Sequence, residues 1–509
     1  MIPVGLARGP GHYEGLIAPW NPSRVPELPE FEQLNTTAAH NHVFDAVRDA
    51  LYALGLDAER FGSTEWNPLS SLVPAQGCVV LKPNFIRHWN PQSRESKNYG
   101  SVQSVITHGA VVRAMAEYAF LAVGSRGRVV LAEASQQDCD FERIREIAGL
   151  DAIRSSFGNR GLDFEIIDLR REAVNFQDGV IVNRQALPGD PAGYRAVDLG
   201  DRSFFTNSGL DPARMRGADY DPGPTSTHHS AGRNAYLLSE TVLSSDLIIN
   251  LPKLKTHKKT GVTLALKNMV GINGDKNWLP HHCAGAPSEG GDEFPGHAWV
   301  DRSRSWLTEI GRQMLRRGIG TRLIRLYRRT EQSVRGDAFI RAGNWHGNRT
   351  TWRMCGDLNR CVYYSDAEGF QSEARRPLKT VLTVLDGIVA GEGNGPLAPE
   401  DVPLGAILAS TDPIAVDLVA IRLMGFDERR IPKVWQSIQA DDLRVTEVHQ
   451  PTDVIVHERN LQTGHIRRYS LDEVHCDRAF MPHPGWLNAI ERSKDQPAGE
   501  TKATEGKFA

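Results

Sequence analysis

The sequence predicts an α/β fold: a mostly parallel sheet flanked by helices, with a mixed insertion. Two observations predict it. Short apolar runs suited to strands recur at residues 78–85, 128–133, 164–169, 246–251, 379–386 and 404–410. Segments with helical spacing of apolar residues lie between most of them.

Taken in order, residues 1–35 are rich in Pro and Gly and predict irregular structure. Val43, Val47, Leu51 and Leu54 are spaced for a helix over 41–56. The strand at 78–85 is stopped by Pro83 and Asn84. Thr107 is placed to cap a helix carrying Val111, Val112, Met115, Tyr118 and Ala119. Gly124 and Gly127 break the chain before the strand at 128–133. A helix over 140–156 leads to the strand at 164–169. Residues 172–233 read as strands and loops, and 235–244 as a short helix. The strand at 246–251 empties into a lysine-dense loop, and an apolar helical segment then runs to Gly271.

Residues 284–375 break the alternation. A Gly/Pro/acidic loop there precedes a basic helical segment with Arg312, Arg316, Arg317, Arg322, Arg325, Arg328 and Arg329. Regular order resumes at 379–386 and 404–410. Asp412 as cap and Pro413 at the first helical position then open a helix lined by Ile414, Leu418, Ile421 and Met424. A last strand is expected near 452–457, and a polar, disordered tail from about 494. The domain reading is an N-terminal extension at 1–76, core parts at 77–285 and 377–490, an insertion at 286–376 and a tail at 491–509.

Length and composition narrow the function. At 509 residues the chain can hold two or three domains, or one large domain with insertions. Hydrophobic content of 40% and charged content of 24% are ordinary for a soluble globular protein. A net charge of −3 gives no global attraction to nucleic acid or an anionic membrane. Neither a signal pattern nor a bilayer-long apolar run occurs, so the cytoplasm is the expected location. The six cysteines form no CxxC pair, which argues against an iron–sulfur cluster or zinc ribbon and for free thiols.

The lysine-dense run NLPKLKTHKKTG is the strongest functional signal. In an extended chain Lys253, Lys255 and His257 share one face, where they would seat a carboxylate or phosphate. Lys258 and Lys259 read as solvated. Lys267 and Asn268 interrupt an apolar helix, where a buried lysine needs a partner. Lys82 and Asn84 end one strand and Glu133 another, at the edge where ligands of open α/β sheets gather. Glu133 is a candidate base or metal ligand, the alternative being a loop carboxylate that caps a turn. His108 at a helix start is expected to be neutral.

Lys276 and His281 are further candidates for substrate contact. His281, His282 and Asp292, with Glu293 and His297 nearby, would be the ligands if a divalent metal is bound, although their spacing matches no established metal motif. Asp386 and Glu392 sit in what reads as an acidic, glycine-rich loop, and either can be a base or simply a polar turn residue. Asp412 reads as a helix cap. The arginine-rich segment reads first as a solvated face and second as a docking surface.

These pieces, in order, resemble the DUF362 family, a domain of unknown function. The resemblance rests on LKPNF at 81–85, THG at 107–109, NLPKLKTHKKTGVTLALKN at 250–268, LDGIVAGEGNGP at 385–396 and STDPIAVDLVAIRLMGF at 410–426. It covers roughly 77–285 and 377–437. It implies an α/β fold and, by association, a bacterial biosynthetic pathway. Many relatives carry a ferredoxin-like module with clustered cysteines. This chain has no such cluster, and its WLPHH loop and insertion suggest a longer subgroup.

Two function classes follow. In one, a cytoplasmic enzyme binds an anionic small molecule through Lys82, Asn84, His108, Lys253, Lys255, Lys267, Asn268, Lys276, His281 and Glu392. Glu133, His257 or Asp386 then moves a proton, as an isomerase, epimerase or lyase does; a metal-dependent variant uses His281 and His282. In the other, a non-catalytic scaffold docks a protein partner, or a second copy of itself, through the arginines.

Overall fold

Apolar runs become strands here wherever both of their faces can be covered. The computed structural model describes residues 1–31, 40–91, 101–177, 180–296, 299–317, 319, 320, 322, 324, 342–366, 368–371, 373–460 and 463–492. Among these, eleven strands form one sheet. They are β1 (Ile2–Arg8), β2 (Cys78–Pro83), β3 (Arg128–Glu133), β4 (Phe164–Asp168), β5 (Leu247–Leu251) and β6 (Lys253–His257). The others are β7 (Gly261–Val262), β8 (Thr380–Asn394), β9 (Ala398–Ser410), β10 (Val454–Arg459) and β11 (Ile466–Ser470).

The spatial order is β11-β10-β1-β9-β8-β5-β2-β3-β4, with β6 beside the far half of β8 and β7 against β6. From β8 to β4 the strands are parallel. β9 runs antiparallel to both of its neighbours, and β11 to β10.

The helices that matter here are α1 (His42–Leu54), α2 (Gly109–Val123), α3 (Phe141–Ile147), α4 (Leu150–Gly158) and α5 (Leu264–Asn268). They continue as α6 (Trp299–Arg316), α7 (Thr351–Tyr363), α8 (Pro413–Leu423) and α9 (Pro432–Ile438). Alternate strand residues face opposite ways. Val79, Leu81 and Ile249 join a core with α1 and α2, whereas Val80 and Ile248 join a second core with α5, α7 and α8. From β2 the chain steps outward to β3 and β4, then returns with β5 on the other side of β2. The order reverses between β2 and β5, and the crevice beyond their carboxyl ends is where such sheets hold ligands. No helix among the described residues is long and apolar enough to cross a membrane.

The structure departs from several expectations. The start of the chain is not irregular: β1 lies inside the sheet, and Val4, Leu6 and Ala7 are fully buried. Residues 235–239 lie in a strand, Arg233–Ser239, which pairs with Tyr194–Asp198; only Glu240–Leu243 is helical. A short apolar run looks alike in either state. The helix expected over 140–156 is two helices, broken at Gly149, whose φ is +54°.

The glycine-rich stretch after Asp386 is not a loop. It continues β8 to Asn394. Gly387 and Gly391 are needed for close approach, since a Cβ on them would crowd Leu254 and Lys255. The 286–376 segment is not wholly peripheral either. In α7, Met354, Cys355, Leu358, Cys361 and Val362 are fully buried, and Asn359 Nδ2 donates to the Leu266 carbonyl at 2.9 Å. His297, Arg325, Arg328, Arg329, the side chain of Arg316 and the tail from 493 lie outside the described residues.

Candidate functional site

Lys82 ends β2 and Glu133 ends the adjacent β3. Lys82 Nζ donates to Glu133 Oε2 at 2.7 Å and to the Pro83 carbonyl at 2.6 Å. Phe85 N donates to the same carboxylate oxygen at 3.1 Å. Both side chains are buried. Glu133 Oε1 takes no hydrogen bond among the described residues. Gly271 closes over the pair, and a Cβ there would overlap Glu133 Oε1 and the Lys82 ammonium.

A chain of amides sets the strand ends beside α5. Asn84 Nδ2 donates to Asn268 Oδ1 at 2.8 Å. Asn268 Nδ2 donates to the Lys82 carbonyl at 3.0 Å and to Asn250 Oδ1 at 2.8 Å, and Asn250 Nδ2 donates to the Ala265 carbonyl. Asp417 Oδ1 accepts from Ala265 N at 2.7 Å while its other oxygen takes Lys433 Nζ at 2.8 Å. Asn84 Oδ1 is buried and finds no partner among the described residues.

Four lysines, Lys82, Lys255, Lys267 and Lys276, have one carboxylate in common, Glu133. Burial is the first cause that disfavours the charge of each. The cations then work against one another: Lys253 and Lys267 lower Lys255, and Lys82 and Lys267 lower Lys276, which sits at about 7. Lys255 Nζ donates to the Val105 carbonyl, and Lys276 Nζ to the Val270 carbonyl at 3.2 Å. Burial first, then nearby lysines led by Lys267, hold His257 well below its usual range and His281 at about 3. His257 Nδ1 accepts from Lys259 N at 3.0 Å, so in the neutral ring Nε2 carries the proton. His281 Nδ1 lies 2.8 Å from the Leu279 carbonyl and must be its donor, which leaves Nε2 unprotonated.

Asp386 belongs to a second network. Tyr13 Oη donates to its Oδ1 at 2.6 Å, and Lys253 Nζ reaches both the Tyr13 hydroxyl at 2.8 Å and Asp386 Oδ2 at 3.0 Å. The backbone N–H groups of His108 and Ile388 complete the shell. Four donors saturate the carboxylate, so Asp386 is built to position its neighbours rather than to take a proton. Burial, then Asp386, pushes the Tyr13 hydroxyl well above its usual range.

The His108 ring stacks on Tyr13 with centroids 3.8 Å apart and planes 5° from parallel. It is neutral, held at about 3, with burial the first cause. His108 itself caps α2, because Nδ1 accepts from Ala110 N. Thr107 instead donates to the Leu251 carbonyl at 2.7 Å.

Other candidates are engaged elsewhere. Asp292 accepts from Cys283 N, Arg349 N, Thr350 N and Thr350 Oγ1, all within 2.8 Å. That carboxylate knots two loops together, and the structure does not assemble it with His281 and His282 into a ligand set. Among the described residues no three His, Cys, Asp or Glu side chains converge as metal ligands. Both ring nitrogens of His282 are buried without a partner there. Glu392 binds Arg478 and Met481 N, which ties β8 to the later chain. Lys259 is not solvated: its Nζ donates to the Ala342 carbonyl, and burial holds it at about 7. Asp412 caps α8 by accepting from Ile414 N and Ala415 N. Arg312 and Arg216 both approach Glu309. All six cysteines are free.

Sequence reasoning missed Tyr13, Asn250 and the Asp417–Lys433 pair. Only Asp417 and Lys433 gave a signal, as charges near apolar helical runs.

Residues 188–422 match the model of a family described as "Domain of unknown function (DUF362)". These residues are a DUF362 domain. The DUF362 match takes in β5 to β9 and nearly all of α8, and with them Lys253, Lys255, Lys267, Lys276 and Asp386. It leaves out Lys82 and Glu133, so the crevice is built from both sides of the DUF362 boundary. The chain is also 24% identical over 201 residues to a thylakoid-associated protein of Synechocystis sp.. That stretch covers 39% of this chain and 39% of the relative, about two fifths of each. No solved structure matches.

Proposed function

We propose that the crevice at the ends of β2 and β5 binds an anionic small molecule through a carboxylate or phosphate. A proton is then moved at a carbon next to a carbonyl or carboxylate, as in an isomerase, epimerase or lyase, within a cytoplasmic biosynthetic pathway. One observation carries this reading: Lys82, Lys255 and Lys276 are buried and Lys267 partly so, and Glu133, bonded to Lys82, is the one carboxylate that acts on all four. Buried cations without matching acids are costly, and an anion relieves that cost.

The parts divide as follows. Lys255 and Lys276 face the anion, and the protonated Nε2 of neutral His257 donates to it. Lys82 holds Glu133 through Oε2, leaving Oε1 as the base. Charge that builds on the substrate oxygen is met by the remaining lysines. Asp386 keeps Lys253, Tyr13 and His108 in place.

Native mass spectrometry of the purified chain, with thermal melts in inorganic phosphate, citrate and pyrophosphate, tests binding. A retained anionic metabolite, or a rise in Tm that Lys255→Met abolishes, is the expected result. No retained anion and no shift with any of the three sinks the reading.

A further inference from the structure

Lys267 differs from the lysines around it. Lys82, Lys253, Lys255, Lys259, Lys276 and Lys433 each donate to a carbonyl, a hydroxyl or a carboxylate. Lys267 Nζ meets no acceptor among the described residues. Lys267 is partly exposed, whereas those six lysines are buried.

Its backbone is held hard. Asp417 fixes Ala265 N, Asn250 and Asn359 take the Ala265 and Leu266 carbonyls, and Asn268 is tied to β2 and β5. The chain enters α5 through Leu264, whose φ is +53°. Such a conformation in a leucine persists only where the surroundings enforce it. The result is an amine without an acceptor among the described residues, carried on a rigid mount with Cys355, Lys433, Lys82 and Glu133 in its surroundings.

We propose that Lys267 is a nucleophile that forms an imine with an aldehyde or ketone whose carboxylate or phosphate sits on Lys255 and Lys276. The proposal rests on the anion-seat reading above and names its substrate class, an anionic carbonyl compound. The neutral amine adds to the carbonyl carbon, a C–N bond forms, and the carbonyl π pair moves to oxygen. The carbinolamine then loses that oxygen with the two amine hydrogens as water, which leaves C=N. The imine takes up one proton to become the iminium, an electron sink for the adjacent C–H bond. Glu133 Oε1 is the group placed to receive that proton.

The amine must be uncharged to attack. Burial disfavours its charge first, and Lys433 and Lys82 add to that, while Cys355 and Glu133 act the other way. Crowding by cations is one of the two known ways to activate a lysine.

The test uses the full chain with pyridoxal 5′-phosphate as a phosphorylated aldehyde and, separately, with glyoxylate as a carboxylated one. Borohydride reduction and peptide mapping by mass spectrometry read the adduct. A single dominant adduct on Lys267, suppressed by inorganic phosphate, is the expected result. Lys267→Arg keeps a long side chain but cannot form an imine, so it should lose the adduct while phosphate still raises its Tm. Adducts scattered over exposed lysines, with Lys267 unmodified, overturn the nucleophile. If phosphate still raises Tm in that case, the anion seat survives and only the imine falls. If phosphate has no effect either, both fall together.

Discussion

Lys82 and Glu133 meet across two neighbouring parallel strands, 2.7 Å apart and shut off from solvent. Removing one member of such a pair strands the other charge. Glu133→Ala is expected to lower stability by about 3–5 kcal/mol, read by urea unfolding. Lys82→Met combined with Glu133→Leu should recover much of that loss, because apolar residues of similar volume replace both charges. A double variant as unstable as Glu133→Ala would count against the pair as the source of the effect.

Gly271 is there because the pair leaves no room. Gly271→Ala sets a methyl against Glu133 and Lys82 and should cost about 1–3 kcal/mol by overpacking, read by calorimetry. An unchanged Tm would mean that the two side chains can move aside.

Tyr13→Phe deletes the hydroxyl that joins Asp386 to Lys253 and keeps the ring that stacks on His108. The expected loss is about 1–3 kcal/mol, from a buried carboxylate short of a donor. Urea denaturation reads it. The stacked ring should still hold His108 in place, so its imidazole NMR signals should keep their shifts while the stability falls.

Lys259 and Lys276 are each held at about 7, against an ordinary 10.5, by burial. Between those values the unfolded chain binds protons that the folded chain has released. Stability therefore rises with pH from about 7 to about 10.5 on account of these two groups. Lys276→Met should flatten part of that rise in urea titrations at about pH 7 and about pH 9. Phosphate should bind more weakly over the same range, as Lys276 loses its charge. A wild-type profile flat over that range would contradict both assignments.

The strand ends that build the crevice were legible because parallel strands covered on both faces read as unbroken apolar runs, with their chemistry at the end. Lys82, Glu133 and the lysines after β5 were found that way. Tyr13 was not: it lies in a Gly/Pro-rich stretch and meets Asp386 across 373 positions. No local pattern reports such a contact. The far half of β8 was hidden because glycine marks a loop as readily as a close approach. Asp292 and Glu392 looked chemical because a buried carboxylate that ties loops together has the same letters as one that acts. Lys259 looked solvated because a lysine run does not say which member turns inward.

β1 has its two neighbours late in the chain: β9 on one edge and β10 on the other, with Arg8 bonded to Glu458 across 450 positions. During synthesis its backbone donors and acceptors wait until both have been made. Non-local pairing of that span is slow and leaves an open strand edge in the nascent chain. β1, the first strand made, has a place in this sheet only once β9 and β10 exist to flank it.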